Sequence, residues 1–215
     1  MPSSLGVLIL RLPGLLLAIS VHEYAHARMA YRLGDDTAAL SGRMTLEPWA
    51  HFDIIGALML LLVGFGWARP VPVSPYRLQD PKKDMAKIAF AGPLANLITA
   101  FVLEVATILL FTFYKFSGVW IYVPMVLQMA ARINAGLAVF NLIPVPPLDG
   151  SRILEQYIPY RYQHIWDEVQ RHGFIILVAL LVLGVVSWIM QPLVTGFMGF
   201  AQKAGLSLSL LLRRF

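Results

Sequence analysis

The 215-residue sequence contains no cysteine. That removes disulfides, thiolate metal sites and a cysteine nucleophile together, so any metal must be held by nitrogen and oxygen. Charge is scarce too: Asp, Glu, Lys and Arg make up 13% of the chain, against about a quarter in an average soluble domain. What is abundant is apolar surface, with 58% hydrophobic residues and a mean hydropathy of +0.69. These values rule out a disordered chain and argue against an ordinary soluble domain. Apolar stretches run from end to end and leave no soluble block large enough for its own core, which predicts one integral membrane domain over residues 1–215. Lys and Arg outnumber Asp and Glu by 17 to 12. The cations sit in short loops, with no basic stripe or aromatic-interleaved patch, so nucleic acid is not an expected partner. The apolar run Leu5 to Ile19 lacks a basic leader and a small-residue cleavage site, and is read as a helix rather than a signal peptide.

A spanning helix needs about 20 mostly apolar residues. Four segments qualify, at roughly 5–33, 86–114, 119–143 and 174–198, with a weaker tail from Phe200 to Leu212. The run Ile54 to Gly66 is too short for a comfortable span and is weakened by Gly56, Gly64 and Gly66. The expectation is therefore an all-α polytopic bundle of four to six transmembrane helices with a short re-entrant or β-hairpin segment near 54–73. The loop at 67–85 carries Pro70, Pro72, Pro75 and Pro81 and reads as extended backbone.

His22-Glu23-Tyr24-Ala25-His26 is an HExxH pattern inside the first apolar run. On a helix, positions i and i+4 share a face, so His22 and His26 can grip one metal while Glu23 on the flank reaches a water beside it. Two imidazoles and a carboxylate facing lipid are costly, so such groups usually line an interior site. A catalytic zinc takes at least one more protein ligand and keeps a position open. Asp149, in the run Asn141-Leu-Ile-Pro-Val-Pro-Pro-Leu-Asp149-Gly150, is the first candidate: its prolines end a helix and let irregular backbone bring a carboxylate inward. The alternative for Asp149 is a plain helix-end turn. Glu104 is the rival ligand, its other reading being a buried carboxylate paired with Arg132. His51 and Asp53 read as interfacial, with a role behind the metal ligands as the alternative; His164 and His172 read as solvated.

A shared metal requires the segments bearing His22 and Asp149 to run parallel, which holds only if Ile54–Gly66 does not cross the bilayer. The loops at 34–53, 67–85 and 150–173 then fall on one side with Arg43, Arg69, Arg77, Lys82, Lys83, Arg152, Arg161 and Arg171, and Lys115 stands opposite. That asymmetry follows the positive-inside rule and sets the metal near the cytoplasmic face.

The sequence resembles the site-2 protease family of intramembrane zinc metalloproteases, in the compact bacterial form without a PDZ domain. The likeness rests on HEYAHA at 22–27, AGPLANLITA at 91–100 and NLIPVPPLDGSR at 141–152, with support from 42–56 and 64–76, and covers about residues 15–155. It implies a catalytic core at about 5–155 followed by C-terminal helices at about 174–212. It also implies one zinc ion per chain on His22, His26 and Asp149, with Glu23 as the catalytic glutamate. Asn96 and Asn141 become polar groups that hold substrate backbone or the oxyanion, against the plainer reading of interhelical hydrogen bonds. The implied partners are single-span membrane proteins and the lipid bilayer, in a bacterial inner membrane with the site toward the cytoplasm; oligomeric state is left open. The alternatives are a membrane zinc carrier or sensor in which Glu23 merely supports the ligands, and an inactive scaffold that binds membrane helices.

Overall fold

The computed structural model describes residues 4–53, 56 and 68–213. Among them the regular structure is entirely helical: α1 (Ser4–Arg32), α2 (Thr37–Leu40), α3 (Pro81–Phe113), α4 (Tyr122–Asn141), α5 (Asp149–Glu155), α6 (Gln163–Val182) and α7 (Val185–Leu212), with four short 3-10 turns. Two stretches, Pro81–Phe113 and Gly118–Asn141, are long and apolar enough to cross a membrane, or three if α6 and α7 count as one broken span. Phe90, Leu94, Ile98 and Val102 form an exposed ridge at four-residue spacing along α3, and Trp188, Leu193, Phe200 and Leu206 are exposed on α7. Apolar ridges of this kind suit lipid rather than water.

Local chemistry sets the helix ends. Asp80 accepts from the Lys83 backbone N–H, Pro81 occupies the first turn of α3, and Asp84 reaches back to the Asp80 N–H at 3.1 Å. This exchange satisfies donors that the first turn leaves unpaired. α4 stops at Asn141 because Pro144, Pro146 and Pro147 follow within six residues. The expected continuous span at 174–198 is corrected: Gly184 takes a left-handed φ of +74 and ends the helix there. The tail at 200–212 is no separate element but the second half of α7. The hairpin expected near 54–73 falls mostly outside the described residues; its described part, 68–73, is non-helical backbone.

The chain divides into two compact units. One comprises Met1–Ala18, Asn96–Phe140 and Ala179–Phe215; the other comprises Ile19–Ala95 and Asn141–Val178. In the first, small residues let backbones close up: a Cβ on Gly14 would lie 2.7 Å from Ala130 Cα, and Ala100, Ala131 and Ala135 are buried with Met198. Asn96 donates to the Ala18 carbonyl at 2.9 Å and to Asn134 Oδ1 at 2.8 Å, so α1, α3 and α4 share one polar tie. Glu104 is fully buried, and its partner is Gln202 at 3.0 Å rather than the expected Arg132, which is exposed. The second unit has its own apolar cluster of Ala30, Leu78 and Ile88, against which Met29, Leu33, Val73 and Met85 pack.

Candidate metal centre

α1 presents His22, Glu23 and His26 on adjoining positions of its last three turns, and all three are buried. The His26 ring is oriented by its Nδ1, which donates to the Ile88 carbonyl on α3 at 2.7 Å. That bond fixes the neutral tautomer and leaves the Nε2 lone pair pointing away from Ile88. The two Nε2 atoms lie 3.0 Å apart. Asp149, at the start of α5, brings Oδ2 to 3.0 Å from His22 Nε2 and 3.3 Å from His26 Nε2. The chain can deliver it there because Gly150 has no side chain; a Cβ at that position would sit 2.3 Å from the Leu142 carbonyl oxygen.

The three ligand atoms lie within 4.8 Å of one another, and no other group of three His, Asp or Glu among the described residues does so. Asp149 Oδ2 is buried and accepts no hydrogen bond, an arrangement that costs free energy unless a cation completes it. Tetrahedral zinc, with Zn–N near 2.0–2.1 Å, holds its ligand atoms roughly 3.3 Å apart. The donor set of two imidazole nitrogens and one carboxylate oxygen therefore fits zinc in kind and in spacing.

Two features of this centre have no sequence signature of their own. Gly92 on α3 faces both rings: a Cβ there would lie 2.5 Å from His26 Cε1 and Nε2 and 2.8 Å from His22 Cε1, so only glycine leaves room for them. Glu23 Oε2 accepts the Val71 backbone N–H at 3.0 Å, 48 positions along the chain. The segment that supplies this N–H is itself anchored. Arg69 donates its N–H to the His51 carbonyl at 2.9 Å, and Ser74 donates its N–H to Asp35 Oδ2 at 2.7 Å. Burial alone raises the Asp35 carboxyl, but the Thr37 hydroxyl, the Ser74 and Thr37 backbone N–H groups and the Arg77 charge together hold it below the usual carboxylate range.

His51, read as interfacial with a role behind the metal ligands as the alternative, is fully buried in the protein, with Nε2 on the Thr45 carbonyl at 2.9 Å. Asp53 accepts the Gly56 N–H at 2.8 Å. Both N–H bonds of the Asn96 amide go to the interhelical tie, and Asn141 is half-buried at the end of α4. Glu104 is not among the converging groups.

The family model for peptidase family M50 matches residues 115–184, a stretch that includes Asp149 but not the HExxH helix. YwhC of Bacillus subtilis (strain 168), named as a candidate zinc metalloprotease, is 35% identical over 191 residues, covering 83% of this chain and 83% of that protein. Rip2 of Mycobacterium tuberculosis (strain H37Rv), named in the same way, is 28% identical over 198 residues, covering 86% of this chain and 74% of its own. Rip2 of Mycolicibacterium smegmatis is 30% identical over 193 residues, covering 84% and 69%. No solved structure matches the chain. Similarity of this extent, on a chain whose histidines and aspartate converge, makes it a member of peptidase family M50, the site-2 protease family of zinc metalloproteases.

Proposed function

We propose that this protein is a zinc endopeptidase that hydrolyses peptide bonds in or near transmembrane segments of single-span membrane proteins. The observation that carries the reading is the convergence of His22, His26 and Asp149 within 4.8 Å, with the buried Glu23 on the helix that bears the two histidines. His22, His26 and Asp149 would hold the metal, one ion per chain. Zinc, when bound, supplies a Lewis acid that makes water acidic near neutral pH and polarises a peptide carbonyl.

Glu23 takes a proton from the attacking water. The water oxygen adds to the carbonyl carbon, the C–N bond breaks, and Glu23 returns the proton to the leaving amine. Because the Val71 N–H stabilises the charge on one carboxylate oxygen, the other is the better placed of the two to accept. A helical substrate hides its carbonyls in its own hydrogen bonds, so cleavage needs local unwinding. The proline-punctuated segment at 68–76 offers backbone groups to such an unwound stretch, a form of strand pairing. Asn96 and Asn141 as substrate-holding groups remain part of this reading, though the Asn96 amide reaches substrate only by giving up a bond to Ala18 or Asn134.

The long apolar helices and the excess of cations in the loops at 34–53, 67–85 and 150–173 favour a multi-pass protein of a bacterial inner membrane with the site toward the cytoplasm. The Glu23→Gln form tests the reading. Single-span proteins incubated with wild type yield new termini by mass spectrometry, whereas the variant binds the same zinc and yields none. Turnover by that variant, or zinc flux into proteoliposomes without cleavage by wild type, refutes it.

A further inference from the structure

A buried arginine that the proposed chemistry leaves unused lies behind the Val71 contact. Arg43 is 9% exposed. Its place is dictated locally: Gly42, at a φ of +68, closes α2, with the Gly42 N–H on the Ala39 carbonyl and the Arg43 N–H on the Ala38 carbonyl at 2.8 Å. This is the helix-ending pattern that requires a left-handed residue, and it aims the next side chain off the helix axis. The Arg43 guanidinium then donates Nη2 to the Arg69 carbonyl at 2.6 Å and to the Pro70 carbonyl at 3.3 Å. Nε is buried without a partner, and among the described residues no carboxylate lies within ion-pair distance of the side chain.

A buried cation in this condition needs negative potential from somewhere. Burial opposes the charged form most, the neighbouring Arg69 charge opposes it next, and the Glu23 carboxylate is the charge that supports it. The guanidinium is thus coupled to Glu23 through space as well as through backbone. The backbone link is short: Arg43 holds the carbonyls of residues 69 and 70, and residue 71 donates to Glu23. Pro70 and Pro72 have no N–H, so Val71 is the donor that this stretch can present.

We propose that Arg43 is a positioning residue for the reaction: by clamping the backbone at 69–70 it keeps the Val71 N–H on one oxygen of Glu23 and leaves the other free to take a proton. A glutamate side chain turns about three bonds, and a base must sit within hydrogen-bond reach of its proton. A fixed backbone donor removes that freedom without adding a second acidic or basic group beside the metal. The catalytic half of the inference rests on the reading of Glu23 as the base; the clamp does not.

The test uses the full-length zinc-loaded protein in detergent and the variants Arg43→Lys and Arg43→Gln. Hydrogen exchange resolved to single amides should show Val71 exchanging more than about tenfold faster in Arg43→Gln, with Arg43→Lys in between, because opening of the segment becomes easier. Zinc content should stay that of the wild type. On a membrane peptide that the wild type cleaves, Arg43→Gln should lower kcat per bound zinc by about 10- to 100-fold, the usual penalty for a misplaced group. KM is free to rise as well, because the same segment is proposed to pair with substrate; the fall in kcat per zinc at saturating peptide is what reads the placement of Glu23. Arg43→Lys should recover part of the loss. Unchanged Val71 exchange overturns the clamp. Unchanged kcat per zinc, or a loss confined to KM, overturns the positioning role. Should Arg43→Gln fail to fold, Arg43→Lys is read by the same two measurements. If the wild type cleaves nothing, the protease reading is what has failed, and exchange at Val71 still decides the clamp.

Discussion

The two compact units handle buried polar groups in opposite ways. In the unit built from Met1–Ala18, Asn96–Phe140 and Ala179–Phe215, such groups mostly return to their own helix. Thr107 donates to the Leu103 carbonyl, Ser209 to Leu206, and Asn134 to Ala130, three or four residues back in each case. Between helices there, Asn96 reaches the Ala18 carbonyl and Asn134, and Gln202 donates to Glu104. In the unit of Ile19–Ala95 and Asn141–Val178 the bonds instead join distant stretches: His26 to Ile88, Glu23 to Val71, Asp35 to Ser74 and Arg43 to Arg69. Helix-local bonds add cohesion and constrain little else, whereas long-range bonds to irregular backbone fix the position of a few atoms. The first pattern suits packing in lipid; the second suits a site that must be rigid before its ligand arrives.

The sharpest way to break this contrast is to make one substitution in both units. Gly92→Ala drives a methyl into both imidazoles, and bound zinc, measured by mass spectrometry of the purified protein, should fall by more than about tenfold. Gly14→Ala meets Ala130 at an equally short distance. It should cost about 1–3 kcal/mol of stability in thermal denaturation while zinc content holds. Equal zinc loss in the two variants would erase the distinction.

A smaller effect is expected at Asp35. Replacement by Asn should destabilise by about 2 kcal/mol at pH 7, since donors from Ser74 and Thr37 lose a charged acceptor. The Asp35 carboxyl is held below its ordinary value in the folded state. Its contribution is therefore present above the unfolded pKa near ~3.9 and is lost as pH falls through the folded value. The Tm gap between wild type and Asp35→Asn should close on acidification toward about pH 3. A gap that holds across that range would exclude the carboxylate as its source. The smallest effect belongs to Glu104→Gln, which keeps the acceptor for Gln202 and gives the buried, unpartnered Oε2 position an N–H pair. With no partner for that pair, the substitution should cost about 1 kcal/mol in thermal denaturation and leave zinc content unchanged.

Much of this was legible beforehand, and the exceptions share a cause. The i, i+4 histidines announce themselves because helical spacing is a local rule, and the prolines after Asn141 mark where a helix must stop. Asp149 could be nominated because few carboxylates lie in apolar surroundings. Gly92 could not be read as a wall of the site, since its role is to be absent from a space that a distant helix fills. Arg43 looked like one more loop cation of the orienting kind, although burial and two carbonyls set it apart. Glu104 reads as a rival metal ligand or, alternatively, as a partner of Arg132, yet it meets Gln202, 98 positions away. Hydropathy carries the fourth span through Gly184 because it averages over a window and is blind to one left-handed residue.

The alternating prolines near Glu23 carry a consequence for anything that lies down beside them. Positions 70, 72 and 75 have no N–H to give, and the N–H groups of 69, 71 and 74 are already spent on His51, Glu23 and Asp35. Between positions 69 and 75 that leaves Val73, whose side chain is seated against Ala30, Leu78 and Ile88. An extended chain pairing here, as the proposed function has it, would find a single open N–H in place of a ladder of donors, so its hold would have to come from the segment's free carbonyls and from side-chain contacts.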